Sequence, residues 1–214
     1  MVYDYIRRIL PPVYHLWIRK IYGLENIPKD MPFIIALNHA SYYEILLSYT
    51  ILTSRLNKQI HSLANSRYWN NSITAAVLNY GKCIPVFVGK DYDEKKNKDA
   101  IKKAVQYLKK GHLIQIFPEG TRSIDGKLKK GHNGVAKLAL LSKASVLPIG
   151  VIDSHKVLPK GKFFPRFKRC EVKIGKSITF RKYYKKKIND KILDEITRSI
   201  MKEIAKLIGQ KYNY

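Results

Sequence analysis

Short apolar runs of strand length, separated by stretches of helix length, constrain this chain more than any other feature. Phe33-Ile34-Ile35-Ala36-Leu37 shows no alternation of apolar and polar residues, the mark of a strand covered on both faces. Leu113-Ile114-Gln115-Ile116-Phe117 and residues 146–152 are two further strands, with weaker ones over 60–64 and 170–174. Residues 83–88 make another, and Pro85 places it at an edge or a bulge because proline cannot donate to a ladder. Between these runs the spacing predicts helices over 42–52, 72–80, 99–110, 135–142 and 190–208. Gly81 and Gly111 stop two of them. The last aligns Ile192, Ile196, Ile200, Ile204 and Leu207 on one face. Residues 91–98 and 181–191 are charged connectors. Strands alternating with helices predict a single α/β domain with a mixed, largely parallel sheet flanked by helices.

Residues 1–22 stand apart. Tyr5, Ile6, Ile9, Leu10, Val13, Tyr14, Leu16, Trp17 and Ile21 lie among Arg7, Arg8, Arg19 and Lys20, and Pro11-Pro12 divides the stretch into two short helical pieces. Aromatic residues beside cations suit a lipid headgroup layer, and a helix pair covering the core explains the pattern equally well. The expected organisation is an N-terminal amphipathic, membrane-associating helical segment over 1–22 and the main domain over 23–214. No run approaches the roughly 18 apolar residues of a spanning helix, and the first residues do not read as a signal peptide. A membrane-bound form of this chain is therefore expected to lie on the surface, peripheral or monotopic.

Charge narrows the partners. Lys and Arg number 41 against 16 Asp and Glu, a net charge of +25 over 214 residues. Such a field attracts nucleic acid, an anionic membrane or phosphorylated substrates. No ribonucleoprotein, helix-turn-helix or zinc-finger pattern is present, so nucleic acid is not the expected partner. Two cysteines, Cys83 and Cys170, form neither a disulfide framework nor a zinc site, and no metal is expected.

Two polar blocks follow strands directly, where open α/β sheets place their sites. In Asn38-His39-Ala40-Ser41-Tyr42-Tyr43-Glu44, a carboxylate one helical turn from a histidine can take the Nδ1 proton and leave Nε2 as a base for a hydroxyl. Ser41-x-x-Glu44 is also a capping box, in which Glu44 only closes the helix. In Phe117-Pro118-Glu119-Gly120-Thr121-Arg122-Ser123, Arg122 offers a planar fork for phosphate oxygens, Thr121 and Ser123 add hydroxyls, and Gly120 permits a tight turn. A polar surface turn accounts for the same residues.

Taken in order, these blocks resemble the glycerolipid acyltransferases, above all the lysophosphatidic acid acyltransferases. Tyr22-Gly23-Leu24-Glu25-Asn26-Ile27-Pro28 is similar to the segment before that family's histidine block. Val146-Leu147-Pro148-Ile149-Gly150 is similar to its fourth block. The resemblance covers roughly residues 22 to 175. It implies that His39 is the general base and that Glu44, where the family usually has Asp, orients it. Glu119, Gly120, Thr121 and Arg122 would form the acceptor pocket. It further implies acyl transfer from acyl-CoA or acyl-carrier protein to the free hydroxyl of 1-acylglycerol-3-phosphate, giving phosphatidic acid, with no cofactor beyond that co-substrate. The setting would be an anionic membrane at the cytoplasmic face. The sequence departs from the family at Val88, which stands near a usual arginine; Lys90 and Lys82 flank it as point charges without the bidentate fork. That leaves open the acceptor headgroup, with another lysophospholipid or a lipid-binding relative with an impaired site as alternatives.

Overall fold

The computed structural model describes residues 11–162 and 164–214. Seven strands form one sheet in the order β1-β7-β6-β2-β5-β3-β4: β1 (Ile18–Tyr22), β2 (Phe33–Leu37), β3 (Ile60–Asn65), β4 (Ile84–Val86), β5 (Leu113–Ile116), β6 (Ser145–Ile152) and β7 (Cys170–Ile174). The β6–β7 pair is antiparallel and every other pair is parallel. The helices are α1 (Tyr43–Thr53), α2 (Ser72–Tyr80), α3 (Glu94–Lys109), α4 (Gly134–Ser142), α5 (Ser154–Val157) and α6 (Asp190–Ile208).

The unbroken apolar run of β2 has a direct cause. Ile34 and Ala36 pack into a core with α3, α4 and α6, while Phe33, Ile35 and Leu37 pack into a second core with α1. Both faces are dry, so neither register tolerates a polar residue. β4 lies at the edge, where the missing N–H of Pro85 costs no ladder bond. Gly150 matters for a different reason. A Cβ there would meet the Ile208 side chain at 2.7 Å, so only glycine lets α6 close down on β6.

Two expectations are corrected. Residues 18–22 are not helical: Ile18 to Tyr22 pair in parallel with β7, so the main domain begins before residue 23. β-branched and aromatic residues at Ile18, Ile21 and Tyr22 fit a pleated edge once β7 offers its free ladder. Residues 11–15 are helical, and residues 1–10 lie outside the described part. The charged segment 91–98 is no connector beyond Asp93. Asp93 accepts from the Lys96 N–H and starts α3 at Glu94, with a Glu94–Lys98 ion pair one turn on.

Candidate active site

The parallel pairing of β2, β5 and β6 delivers three loops to one end of the sheet: that after Leu37, that after Ile116 and that after Ile152. The chain leaves β2 for β3 on one side and leaves β5 for β6 on the other. His39 and Glu119 therefore flank a reversal of the winding direction, where such sheets open a crevice.

His39 Nδ1 lies 3.0 Å from Glu44 Oε2, and the Glu44 side chain is 0% exposed while that of His39 is 12% exposed. The Ala40 N–H donates to the Glu44 carboxylate at 2.9 Å, and the Ser154 hydroxyl donates to its Oε1. A carboxylate ringed by donors accepts from Nδ1 and leaves Nε2 as the lone-pair nitrogen. The two readings of Glu44 thus merge. It reaches back to a backbone N–H as a capping glutamate does, though to Ala40 rather than Ser41, and it also holds the imidazole. Ser41 is turned elsewhere: its hydroxyl donates to Leu158 C=O at 2.8 Å and accepts from the Tyr43 N–H. The Phe117 ring stacks on His39 with centroids 4.0 Å apart and covers one face of the imidazole.

The loop after β5 is bound to the histidine loop through its main chain. Glu119 Oε1 accepts the His39 N–H at 2.6 Å, Glu119 Oε2 accepts the Lys129 N–H at 2.8 Å, and the Ser123 N–H donates to His39 C=O at 2.7 Å. Glu119 is 2% exposed, and burial pushes its carboxyl up to about 7 against the pull of those two N–H groups. Gly120 turns the chain at φ +64°, and a Cβ there would sit 3.1 Å from the His132 ring. Thr121 is exposed. The Arg122 guanidinium lies 3.5 Å from the centroid of the Tyr42 ring, and the Tyr42 hydroxyl meets that of Tyr68 at 2.8 Å. Burial first, and then the bond from Tyr42, push the Tyr68 phenol up to about 12. The imidazole and the guanidinium therefore belong to one loop cluster.

Lys90 is exposed in the turn Gly89–Asp91, next to Asp91, which pairs with Arg67 at 2.5 Å. No direct contact ties it to His39. Val88 is extended and half-buried.

Several contributors have no motif of their own. Ser154 sits past the end of β6, a strand end on the same side as His39, and that position is the one signal that finds it. Gln210 and Tyr212 leave no local signal. Gln210 Nε2 donates to Gly126 C=O and its Oε1 accepts the Leu128 N–H, while the Tyr212 hydroxyl accepts the Gly131 N–H. The residues after α6 thus clamp the loop that carries Glu119 and Arg122. Among the described residues no group of three His, Cys, Asp or Glu side chains is arranged to hold a metal ion.

Known proteins resemble this chain in sequence and in fold. The Acyltransferase family model matches residues 18–152. The chloroplastic 1-acyl-sn-glycerol-3-phosphate acyltransferase LPAT1 of Arabidopsis thaliana is 31% identical over 150 residues, covering 70% of this chain and 40% of its own length. The 1-acyl-sn-glycerol-3-phosphate acyltransferase of Bacillus subtilis is 31% identical over 147 residues, covering 67% of this chain and 68% of its own. The chain thus spans about two fifths of the plant relatives it matches. A crystal structure of the acyltransferase PlsC from Thermotoga maritima shares the fold with a TM-score of 0.70 at 23% identity, over 96% of this chain and 80% of that one. A match across well over half the sequence, on the strands and loops that build the histidine site, places this chain in the acyltransferase family.

Proposed function

We propose that this chain transfers a fatty acyl group from an acyl thioester to the free hydroxyl of 1-acylglycerol-3-phosphate, giving phosphatidic acid at a membrane surface. The observation that carries the reading is the buried Glu44 bonded to His39 Nδ1, within the same loop cluster as Arg122. Nε2 takes the proton of the acceptor hydroxyl as its oxygen attacks the thioester carbonyl. The tetrahedral intermediate collapses with cleavage of the C–S bond, and the imidazolium returns the proton to the leaving thiolate. Glu44 holds the tautomer and balances the imidazolium charge. Arg122 supplies the fork for the acceptor phosphate, with Lys90 as a more distant point charge and Gly120 and Thr121 shaping the pocket. Glu119 acts through the backbone: with both oxygens on main-chain N–H groups, it holds the two loops in register.

The donor is coenzyme A or a carrier protein thioester, and no cofactor enters the reaction. The setting is the cytoplasmic face of a membrane, held peripherally by the cationic surface and the apolar and aromatic residues that precede β1. No helix among the described residues is long and apolar enough to cross a bilayer. Val88 favours a second acceptor reading, another lysophospholipid, because it offers no guanidinium where the family usually has one. Purified chain with labelled acyl-CoA or acyl-carrier protein and a panel of lysolipids decides between them. The expected result is fastest turnover with lysophosphatidic acid. A faster lysolipid with a different headgroup shifts the assignment, and lipid binding with no turnover from either donor overturns it.

A further inference from the structure

One helix is turned inside out. In a chain in which 27% of the residues are charged, residues 68–81 carry no charged side chain. They lie largely on the surface, and α2 has no buried residue. Ile73, Val77 and Tyr80 follow one another at spacings of four and three, which puts them on one face, and they are 74%, 66% and 57% exposed. Ala75 and Leu78, on the opposite side, are the half-buried ones. A helix of a soluble domain points its apolar stripe at the core, and this one points it at solvent.

The helix is also joined to the site. Thr74 Oγ1 donates to Tyr68 C=O, the Trp69 indole N–H donates to Asn79 Oδ1 at 2.8 Å, and the Tyr68 hydroxyl meets that of Tyr42, the ring beneath Arg122. Exposed Lys82 and Arg67, the latter paired with Asp91, flank the uncharged stretch.

We propose that α2 is a docking face that inserts Ile73, Val77 and Tyr80 among the acyl chains of an anionic bilayer, bringing the Tyr42–Arg122 end of the site against the lipid surface. The cationic flanks and the net charge of +25 complement anionic headgroups. A second copy of this chain would bring the same positive rim and be repelled, which disfavours it as occupant. This inference rests on the lipid acceptor proposed above and adds the surface that meets the membrane.

The test is co-sedimentation with vesicles of phosphatidylcholine containing phosphatidylglycerol, run beside acyl transfer to a dispersed short-chain lysophosphatidic acid. The double variant Ile73→Ser/Val77→Ser alters only exposed side chains and is expected to partition onto vesicles about tenfold less than the unaltered chain. Met31→Ser, at an exposed apolar residue ahead of the opposite end of β2, is expected to partition normally. Turnover on the dispersed substrate should be unchanged in both. Unchanged partitioning of the double variant overturns the docking face while leaving the acyl-transfer reading intact. A dimer in sedimentation velocity that the double variant dissociates also overturns it, and assigns the face to self-association. Helix-dependent vesicle binding without turnover keeps the docking face and overturns the acyl-transfer reading.

Discussion

His39 and His61 occupy opposite ends of one parallel sheet. His39 follows the C-terminal end of β2, and His61 lies near the N-terminal end of β3. Each stacks against an aromatic ring: Phe117 on His39 at 4.0 Å, Tyr107 on His61 at 3.8 Å. Their polar partners differ. His39 faces the carboxylate of Glu44, whereas His61 Nε2 faces His112 Nδ1 at 2.8 Å. Burial pushes the His61 imidazole down to about 4, and the neighbouring His112 and Lys82 act in the same direction. An imidazole held neutral between rings and cations does not carry the positive charge that a general base acquires. In the proposed reaction, the carboxylate on Nδ1 fits the imidazole at the other end for that task. Burial and stacking are common to both histidines; under the proposed reaction, the sign of the neighbouring charge separates them.

The strongest test of that contrast replaces each histidine. His39→Ala should lower turnover about a thousandfold with an unchanged circular dichroism spectrum. His61→Gln should leave turnover within about twofold while lowering the melting temperature. Comparable losses of turnover in both variants would break the comparison. The wild-type His61 contribution to stability is present above the ordinary imidazole pKa and lost as pH falls from about 6.5 through about 4, because only the unfolded chain readily takes the proton there. Thermal melts of wild type and His61→Gln across that window should converge toward the acid end.

Glu44→Gln sharpens the role of charge. It keeps the size and a bonding oxygen but removes the negative charge, and kcat should fall about a hundredfold with KM little changed. Glu44→Asp should retain more activity than Glu44→Gln; equal losses would mean that reach, not charge, sets the activity.

Glu119 supplies the next effect, in stability. Its carboxyl is raised from an ordinary 4.5 to about 7, so between those values the folded chain keeps a proton that the unfolded chain has released. Stability should therefore fall as pH rises through this window, by on the order of 3 kcal/mol. Glu119→Gln should flatten that slope in denaturant titrations. A slope that persists in the variant assigns it to another group.

The smallest change is expected at Gln210. Gln210→Ala removes two bonds to the loop of Arg122, each worth about 1 kcal/mol, and should raise KM for the acceptor a few fold while sparing kcat. An equal fall in kcat would extend the influence of the clamp to His39.

The amino-acid order by itself determined the alternation of strands and helices, the buried character of β2, the confinement of β4 to an edge or a bulge and the two polar blocks that follow strands. Each of these is written in neighbouring residues, as an unbroken apolar run, a proline or a helical period. Its misreadings at residues 18–22 and 94–98 have a common origin. In the first a distant strand offered a ladder, and in the second a local cap extended a helix through charged residues. Tertiary structure alone decided that Glu44 serves His39 and Ala40 together, and that Glu119 binds main chain rather than facing outward. It also brought Ser154 and Gln210 to the site from sequence positions 110 and 84 residues distant from their partners Glu44 and Gly126. Hydrogen bonds of that kind depend on where parallel strands set down their loops, a property of sheet order that no short stretch of chain contains.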